Sequence, residues 1–295
     1  MHAVVIHETG GPEVLRYEEV PDPEPGEGET LVRIEAAGVN HYDLTVRAAM
    51  ASEFPLILGK DGAGHREDTG ERVLVTGADG TYAELVAVGE DKIWSIPDSV
   101  SASTAAALGV PYTTAWYALV DLGELDRGDT LLVQAGSSAT GQASIDIGRS
   151  LGAKVYATAS ESKLARLAEL GAEPLAYGDP KLAELEADVV FDPVGGEVFA
   201  SSVEALGREG RLITPGAVDN PQVSFNLWSL IGKAGRIQGL GSAHVERETL
   251  EQMIEMTAKG ELSPVIGREL PLEQAAEAHR AIEARETFGK VILKP

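Results

Sequence analysis

The apolar positions of this chain follow two rhythms. Up to about residue 100 they fall in short runs alternating with polar residues, and beyond residue 130 they gather into compact blocks separated by longer mixed stretches. Alternation marks a strand with one face buried, whereas a solid apolar block marks one buried on both faces, as in a parallel sheet. In the first part, Ala3-Val-Val-Ile6 reads as a strand, and so does 30–36, where Val32, Ile34 and Ala36 alternate with Arg33 and Glu35. The stretch Val20-Pro-Asp-Pro-Glu-Pro-Gly-Glu-Gly28 between them is a stiff loop. Further strands at 73–75 and 82–88 complete a β-rich, barrel-like domain. Residues 101–120 turn helical, with Ser101 or Ser103 available as the N-cap.

In the second part the blocks predict strands at 131–135, 154–159, 173–177, 188–192, 210–215 and 235–240, with helical stretches such as 162–170 and 180–187 between the earlier ones. Six strands at that rhythm predict a doubly wound parallel sheet, so the fold class is α/β. A helix over 246–259, another over 272–284 and a strand at 290–293 follow, the strand returning to the first domain. The expected division is a β-rich domain over 1–108, a nucleotide-binding domain over 109–258 and a return segment over 259–295.

The tightest pattern lies where the rhythm changes. The block 131–135 empties into Gly136-Ser-Ser-Ala-Thr-Gly141, a small-residue turn opening a helix that ends near Leu151-Gly152, and a second strand follows at 154. Strand, small turn, helix and parallel strand within about 30 residues form the phosphate-binding half of a dinucleotide fold. The order matters because the unpaired amides of a helix start hold a pyrophosphate only where no side chain blocks the approach. Gly136, Ser137, Ser138, Ala139, Thr140 and Gly141 are therefore cofactor-binding candidates, with Ser138 where the fingerprint has its middle glycine. An NAD site places a carboxylate about 20 residues past the glycines. Here that place holds Ser160, with Lys163 one helical turn on, a pair that suits the 2′-phosphate of NADPH; Glu161, turned inward, would serve NADH instead.

Composition narrows the classes. The 295 residues include no cysteine, which excludes disulfides, thiolate nucleophiles and cysteine-ligated metals. Forty-seven acidic against 24 basic residues give a net charge of −23, a surface that repels nucleic acid and anionic membranes. No apolar run approaches the roughly 20 residues of a bilayer span, and Met1-His-Ala-Val-Val lacks a basic start, so a cytoplasmic location is expected.

Seven segments, in order, resemble the medium-chain dehydrogenases/reductases, and among them the zinc-independent quinone oxidoreductases related to zeta-crystallin. They are Gly10-Gly-Pro-Glu-Val-Leu15, Ala36-Ala-Gly-Val-Asn-His-Tyr-Asp43, Leu58-Gly-Lys-Asp-Gly-Ala-Gly64, Thr113-Thr-Ala-Trp116, the turn at 133–141, Phe191-Asp-Pro-Val-Gly-Gly196 and Gly289-Lys-Val-Ile-Leu293. The resemblance implies a Rossmann domain joined to a β-rich GroES-like domain, with the site in the cleft between them, and a homodimer formed along the Rossmann sheet edge, where 224–228 and 236–238 are candidate edge material. It also implies that Tyr177 flanks the 2′-phosphate, and that Thr114, Val194, Gly216, Leu240 and Gly241 face the cofactor. Asn40 stands where the family's zinc branch has a cysteine and Lys60-Asp61 where it has His-Glu, so no metal is expected, and lone His65 does not change that. The stretch between Gly64 and Glu71 is shorter than in the family, and the positions of two family tyrosines hold Thr45 and Ala51.

Without a metal, the anion formed by hydride transfer needs hydrogen-bond donors, and Asn40, Tyr42 and Lys60 are the catalytic candidates. Asn40 is either a donor to substrate or a turn residue bracing its loop, and Asp43 opens the helix that follows. A quinone or other α,β-unsaturated carbonyl suits this apparatus because conjugation spreads the charge. The expected activity is an NADPH-dependent reductase of such small molecules. The rivals are an enoyl-thioester reductase and an NADPH-binding protein without activity.

Overall fold

The computed structural model describes all of residues 1–295. The chain opens with strands β1 (His2–Ile6), β2 (Arg16–Glu19) and β3 (Glu29–Val39), then the short helix α1 (His41–Thr45). Strands β4 (Leu56–Ile57), β5 (Asp61–Arg66), β6 (Arg72–Thr76), β7 (Leu85–Gly89) and β8 (Ile93–Ser95) lead to helix α2 (Ala102–Trp116). There follow β9 (Thr130–Val133), α3 (Ala139–Leu151), β10 (Lys154–Ala159), α4 (Leu164–Glu169), β11 (Glu173–Ala176), β12 (Ala187–Phe191), α5 (Val198–Ala205), β13 (Leu206–Thr214), α6 (Leu227–Lys233) and β14 (Arg236–Gly239). Helix α7 (Arg247–Ala258), strand β15 (Ile266–Pro271), helix α8 (Ala275–Glu283) and strand β16 (Lys290–Lys294) close the chain.

Two compact units result. The first comprises 1–111, 251–260 and 264–295, and the second 112–250 with 261–263. The first unit is a mainly antiparallel barrel-like body in which β15-β16-β3-β5-β6-β8 form one sheet, β7 pairs with β3, and β2-β1-β4 form another. Residues 290–293 return to this body as expected, Val291 to Leu293 lying antiparallel to Val39 to Ala37. The alternation in β3 is its burial pattern as far as Glu35: Val32 and Ile34 face a core that also holds Val4, Val73, Val75 and Leu293, while Arg33 and Glu35 face out; a bulge between Ile34 and Ala36 then shifts the register, so that Ala37 and Val39, not Ala36, join that core. The shortened stretch after Gly64 is a tight turn between β5 and β6, tied by Arg66 to Asp68 and Glu90.

The second unit is the six-stranded parallel sheet, ordered β11-β10-β9-β12-β13-β14. Leu131, Leu132 and Val133 are fully buried because this central strand is covered on both faces. From β9 the chain builds outward to β10 and β11 on one side and to β12, β13 and β14 on the other. The border between β9 and β12 is thus the topological switch point where such folds bind ligands. Helix α3 stops at Gly152, which takes the left-handed conformation (φ 85°) of a helix C-terminus.

Two expected elements differ. The helix expected over 180–187 is a single 3-10 turn, Pro180–Glu184, because β12 already begins at Ala187. Residues 224–228, offered as edge material for a dimer, contain the start of α6: Asn226 caps it by accepting from the Trp228 amide at 3.0 Å. That capping signal outweighs the local apolar run.

Candidate functional site

The nucleotide-side candidates, Thr114 aside, sit at the carboxyl ends of the parallel strands. After β9, Ala135 takes a positive φ of 53° and the chain turns into α3 with Ser138 as N-cap. The Ser138 hydroxyl oxygen accepts from the Gly141 amide at 3.0 Å, so the serine finishes its own helix start while its hydroxyl proton stays available to an anion. The earlier amides of that turn, on Ala139 and Thr140, lack intrahelical acceptors by the geometry of any helix start. Gly141 is obligatory, since a Cβ there would lie 2.3 Å from the Ala135 carbonyl oxygen.

Ser160 leaves the end of β10 and Tyr177 the end of β11, adjacent positions because Ala159 pairs with Ala176. Lys163 lies half-buried in the 3-10 turn between Ser160 and α4; burial and nearby Arg166 lower its pKa, so an arriving anion would relieve a crowded cationic spot. Val194 follows β12 and donates its amide to Asp192 at 2.8 Å. Gly216 follows β13, its carbonyl accepting from Thr214, and Leu240 follows β14, its amide going to the Thr214 carbonyl; Gly241 is exposed beside it. Thr114 is half-buried in the last turn of α2.

In the first unit, the catalytic candidates separate into a surface pair and a buried residue. Tyr42, on α1, is 46% exposed, and the Lys60 ammonium lies 5.5 Å from its ring centroid, held at 2.5 Å by Asp79. Asn40 is buried. Its amide nitrogen donates to Asp61 at 2.8 Å and to the Gly38 carbonyl at 3.4 Å, and its oxygen accepts from Lys290 at 2.6 Å. Both its N–H groups are committed inside the unit, and its backbone amide donates to Asp43, the third residue of the helix it opens, at 2.8 Å.

Asp61 is the hub of this cluster. Fully buried, it accepts from Asn40, from Lys290 at 3.0 Å, from Thr76 at 2.8 Å and from the Val110 amide at 2.9 Å. The last donor exists because α2 breaks at Gly109, where a Cβ would lie 2.2 Å from the Asp61 carboxylate, and Pro111 has no amide to continue the ladder. A second chain runs from Asp43 through Tyr82 and His279 to Arg47 and Glu283. Arg47 donates to His279 Nδ1, which leaves the neutral ring's proton on Nε2, facing the Tyr82 oxygen, while the Tyr82 hydroxyl donates to Asp43. Burial, reinforced by the Arg47 charge, pushes the His279 pKa down to about 3, and burial pushes Asp43 up to about 7 against the Asn40 amide and Lys290.

Sequence reasoning did not single out Lys290, Tyr82 or His279, nor, in the second unit, Gln134, Thr158 and Ser202. Lys290 carried one signal, a lysine opening an otherwise apolar strand directly after a glycine. The others look like ordinary polar residues until their burial is known.

Residues 26–98 match the family model of the alcohol dehydrogenase GroES-like domain, and residues 170–293 match that of the zinc-binding dehydrogenases. A quinone oxidoreductase of Pseudomonas aeruginosa is 31% identical, the alignment covering 97% of this chain and 97% of that protein. The chain belongs to the quinone oxidoreductase family of the medium-chain dehydrogenases/reductases. Among solved structures of similar proteins, a mycobacterial protein complexed with NADPH is 30% identical with a TM-score of 0.92, and an NAD-dependent alcohol dehydrogenase is 33% identical with a TM-score of 0.93; each match covers 100% of both chains. The family resemblance and the Rossmann and GroES-like architecture expected from sequence are thereby established, as is an oxidoreductase that uses a nicotinamide cofactor.

One matching model describes zinc-binding members of the family. The donor set here does not fit that ion: the chain has no cysteine, Asn40 and Asp61 face each other, and the Lys290 ammonium already lies 3.0 Å from the Asp61 carboxylate. No three His, Cys, Asp or Glu side chains converge elsewhere.

Proposed function

We propose that this protein is a zinc-independent, NADPH-dependent reductase of quinones or other α,β-unsaturated carbonyls. The observation that carries the cofactor choice is the pair of adjacent strand ends after β10 and β11: an uncharged Ser160, Tyr177 beside it and the half-buried Lys163 offer hydroxyls and a cation where an NAD site would offer a carboxylate. The mycobacterial relative complexed with NADPH supports the same choice. The second reading, NADH, is favoured by the NAD-dependent alcohol dehydrogenase among the similar structures and by Glu161 next to Ser160.

Bound there, NADPH supplies the hydride. The residues of this chain hold its phosphates through the α3 turn and Lys163, and orient it through the Val194, Gly216 and Leu240 turns. Tyr42 is the proton donor to the reduced acceptor, and Lys60, fixed by Asp79, offsets charge on the acceptor oxygen as it forms. Asn40 acts from behind: its bonds to Asp61 and Lys290 fix the start of α1, which carries Tyr42. We also propose a homodimer through the edge of the parallel sheet, because α6, packed against β13 next to edge strand β14, exposes Leu227 (58%), Trp228 (76%) and Ile231 (54%).

Thermal unfolding with NADPH, with NADH and with neither tests the cofactor. Saturating NADPH at about 100 times its Kd stabilises by about 2.7 kcal/mol and raises the midpoint by several degrees, and Lys163→Ala removes most of that shift. A larger shift with NADH overturns the choice, and no shift with either overturns the oxidoreductase reading. Turnover of a quinone and an enone by Tyr42→Phe and Lys60→Met tests the catalytic pair. Each is expected to lose about 10²-fold in kcat, and unchanged rates remove them from the mechanism. Sedimentation of Trp228→Glu tests the dimer.

A further inference from the structure

The second unit contains a line of buried polar side chains that touches no surface. Gln134, Thr158, Asp192 and Ser202 all have zero exposure. They form one directed chain. The Ala135 amide donates to Thr158 Oγ1 at 3.3 Å, whose hydroxyl donates to Gln134 Oε1 at 2.5 Å. The Gln134 amide donates to Ser202 Oγ at 3.0 Å, and the Ser202 hydroxyl to Asp192 Oδ2 at 2.7 Å. The other Asp192 oxygen, Oδ1, collects the amides of Val194 at 2.8 Å and Gly195 at 3.1 Å. The Ser202 hydroxyl also lies 3.4 Å from the Val198 carbonyl, but its shorter bond is to Asp192, so the line runs without a break from the turn after β9 to the turn after β12.

These two turns flank the switch point of the sheet. There the connections after β9 and β12 lead to opposite sides, and backbone pairing stops at the strand ends: Val133 pairs with Phe191, and the last cross-strand bond is from the Gln134 amide to the Phe191 carbonyl. Nothing in the ladder fixes the spacing of the turns beyond that point. A buried polar chain gains little net stability over apolar packing, because each group gives up hydrogen bonds to water. What it adds is geometry, since every member has only one arrangement in which all are satisfied. Ala135 shows the constraint directly, as a residue with a Cβ held at positive φ in the turn itself.

We propose that Thr158, Gln134, Ser202 and Asp192 are positioning residues that lock the spacing between the phosphate-side turn (135–141) and the turn at 192–196, and so set nicotinamide-nucleotide affinity without touching the nucleotide. The proposal rests on the cofactor reading above. Its consequence is that a change at one end of the line moves the other end, and that nucleotide affinity follows.

The test pairs two measurements on Thr158→Val, Ser202→Ala and Ser202→Thr. Amide hydrogen exchange without nucleotide reads the coupling. Thr158→Val is expected to speed exchange at Val194 and Gly195, two strands away, more than at sheet amides equally distant from the mutation. Fluorescence titration with NADPH reads the affinity. Thr158→Val and Ser202→Ala are expected to raise Kd about tenfold, the loss of one well-placed hydrogen bond, while Ser202→Thr, which keeps the hydroxyl, stays near wild type. A merely structural role would accelerate exchange evenly and leave Kd unchanged well below the unfolding temperature, and that result overturns the proposal. Coupled exchange in a wild-type protein that binds neither NADPH nor NADH overturns the functional reading and the affinity role together, and differs from the case in which wild type and variants bind equally well.

Discussion

The two units each bury a polar network, but of opposite kinds. The first unit buries charges, Asp61 paired with Lys290, and Arg47 reaching the exposed Glu283 at the rim, and satisfies them with opposite charges. The second buries a nearly neutral relay that ends on a single carboxylate, Asp192, whose pKa burial raises while Ser202 and two backbone amides oppose the rise. A charge cluster that satisfies itself makes a rigid corner and leaves nothing over for a ligand. A relay next to a helix start keeps its own side chains satisfied while the amides of that start stay free for an anion. The first network therefore serves the frame, and the second serves the site.

The comparison breaks most visibly at Lys290. Lys290→Met leaves the Asp61 charge buried without its cation, and the expected loss is about 3–5 kcal/mol, read as a lower urea midpoint; a loss below that of Thr158→Val would show that the charges are not what holds the corner. Next comes Gly141→Ala in the second unit. Its Cβ would lie 2.3 Å from the Ala135 carbonyl oxygen, so the turn must shift, and NADPH affinity is expected to fall by on the order of tenfold, about 1.4 kcal/mol. NADPH titration is expected to show that loss while the first unit's melting is unaffected.

A third effect lies within the charged network and depends on pH. Folded Asp43, with its pKa at about 7, keeps a proton that the unfolded chain gives up near 4, so its contribution falls as pH rises through that window. Folded His279, with its pKa at about 3, lacks a proton that the unfolded chain takes up below 6.5, so its contribution falls as pH drops through that window. Where the windows overlap the two slopes oppose each other. His279→Gln is expected to uncover the first slope, stability falling by about 1.4 kcal/mol per pH unit as pH rises, and Asp43→Asn the opposite slope. Urea midpoints across the overlap that stay parallel to wild type in both variants would sink the assignment. The smallest effect is general: with a net charge of −23, added KCl is expected to raise the melting midpoint of both units by a few degrees by screening self-repulsion, and a midpoint that falls with salt would show that exposed ion pairs outweigh it.

Much of the frame was legible because it rests on local periodicity. The six parallel strands, the α3 turn and the return of 290–293 follow from apolar blocks and small residues whose spacing has one reading. The α6 helix was missed because 224–228, which holds its Asn226 cap, stands in the sequence reading only as candidate edge material for a dimer. Among the candidate residues, Ser160, Tyr177, Val194, Gly216 and Leu240 lie just past strand ends of the Rossmann unit, where such folds put ligands. Asn40 was open to two readings because an asparagine opening a helix looks the same in sequence whether its amide faces a ligand or, as here, Asp61.

By itself the sequence determined what most segments become: the alternating strands, the doubly wound sheet, the glycine turn and the acidic surface, all properties of neighbours in the chain. Only the tertiary structure decided which polar side chains meet. Lys290 lies 250 residues from Asn40 and Ser202 lies 68 from Gln134, and no local pattern encodes a contact across such distances. The partner of a buried polar group is chosen by packing, because the cost of leaving it unpaired arises only once the chain has closed around it.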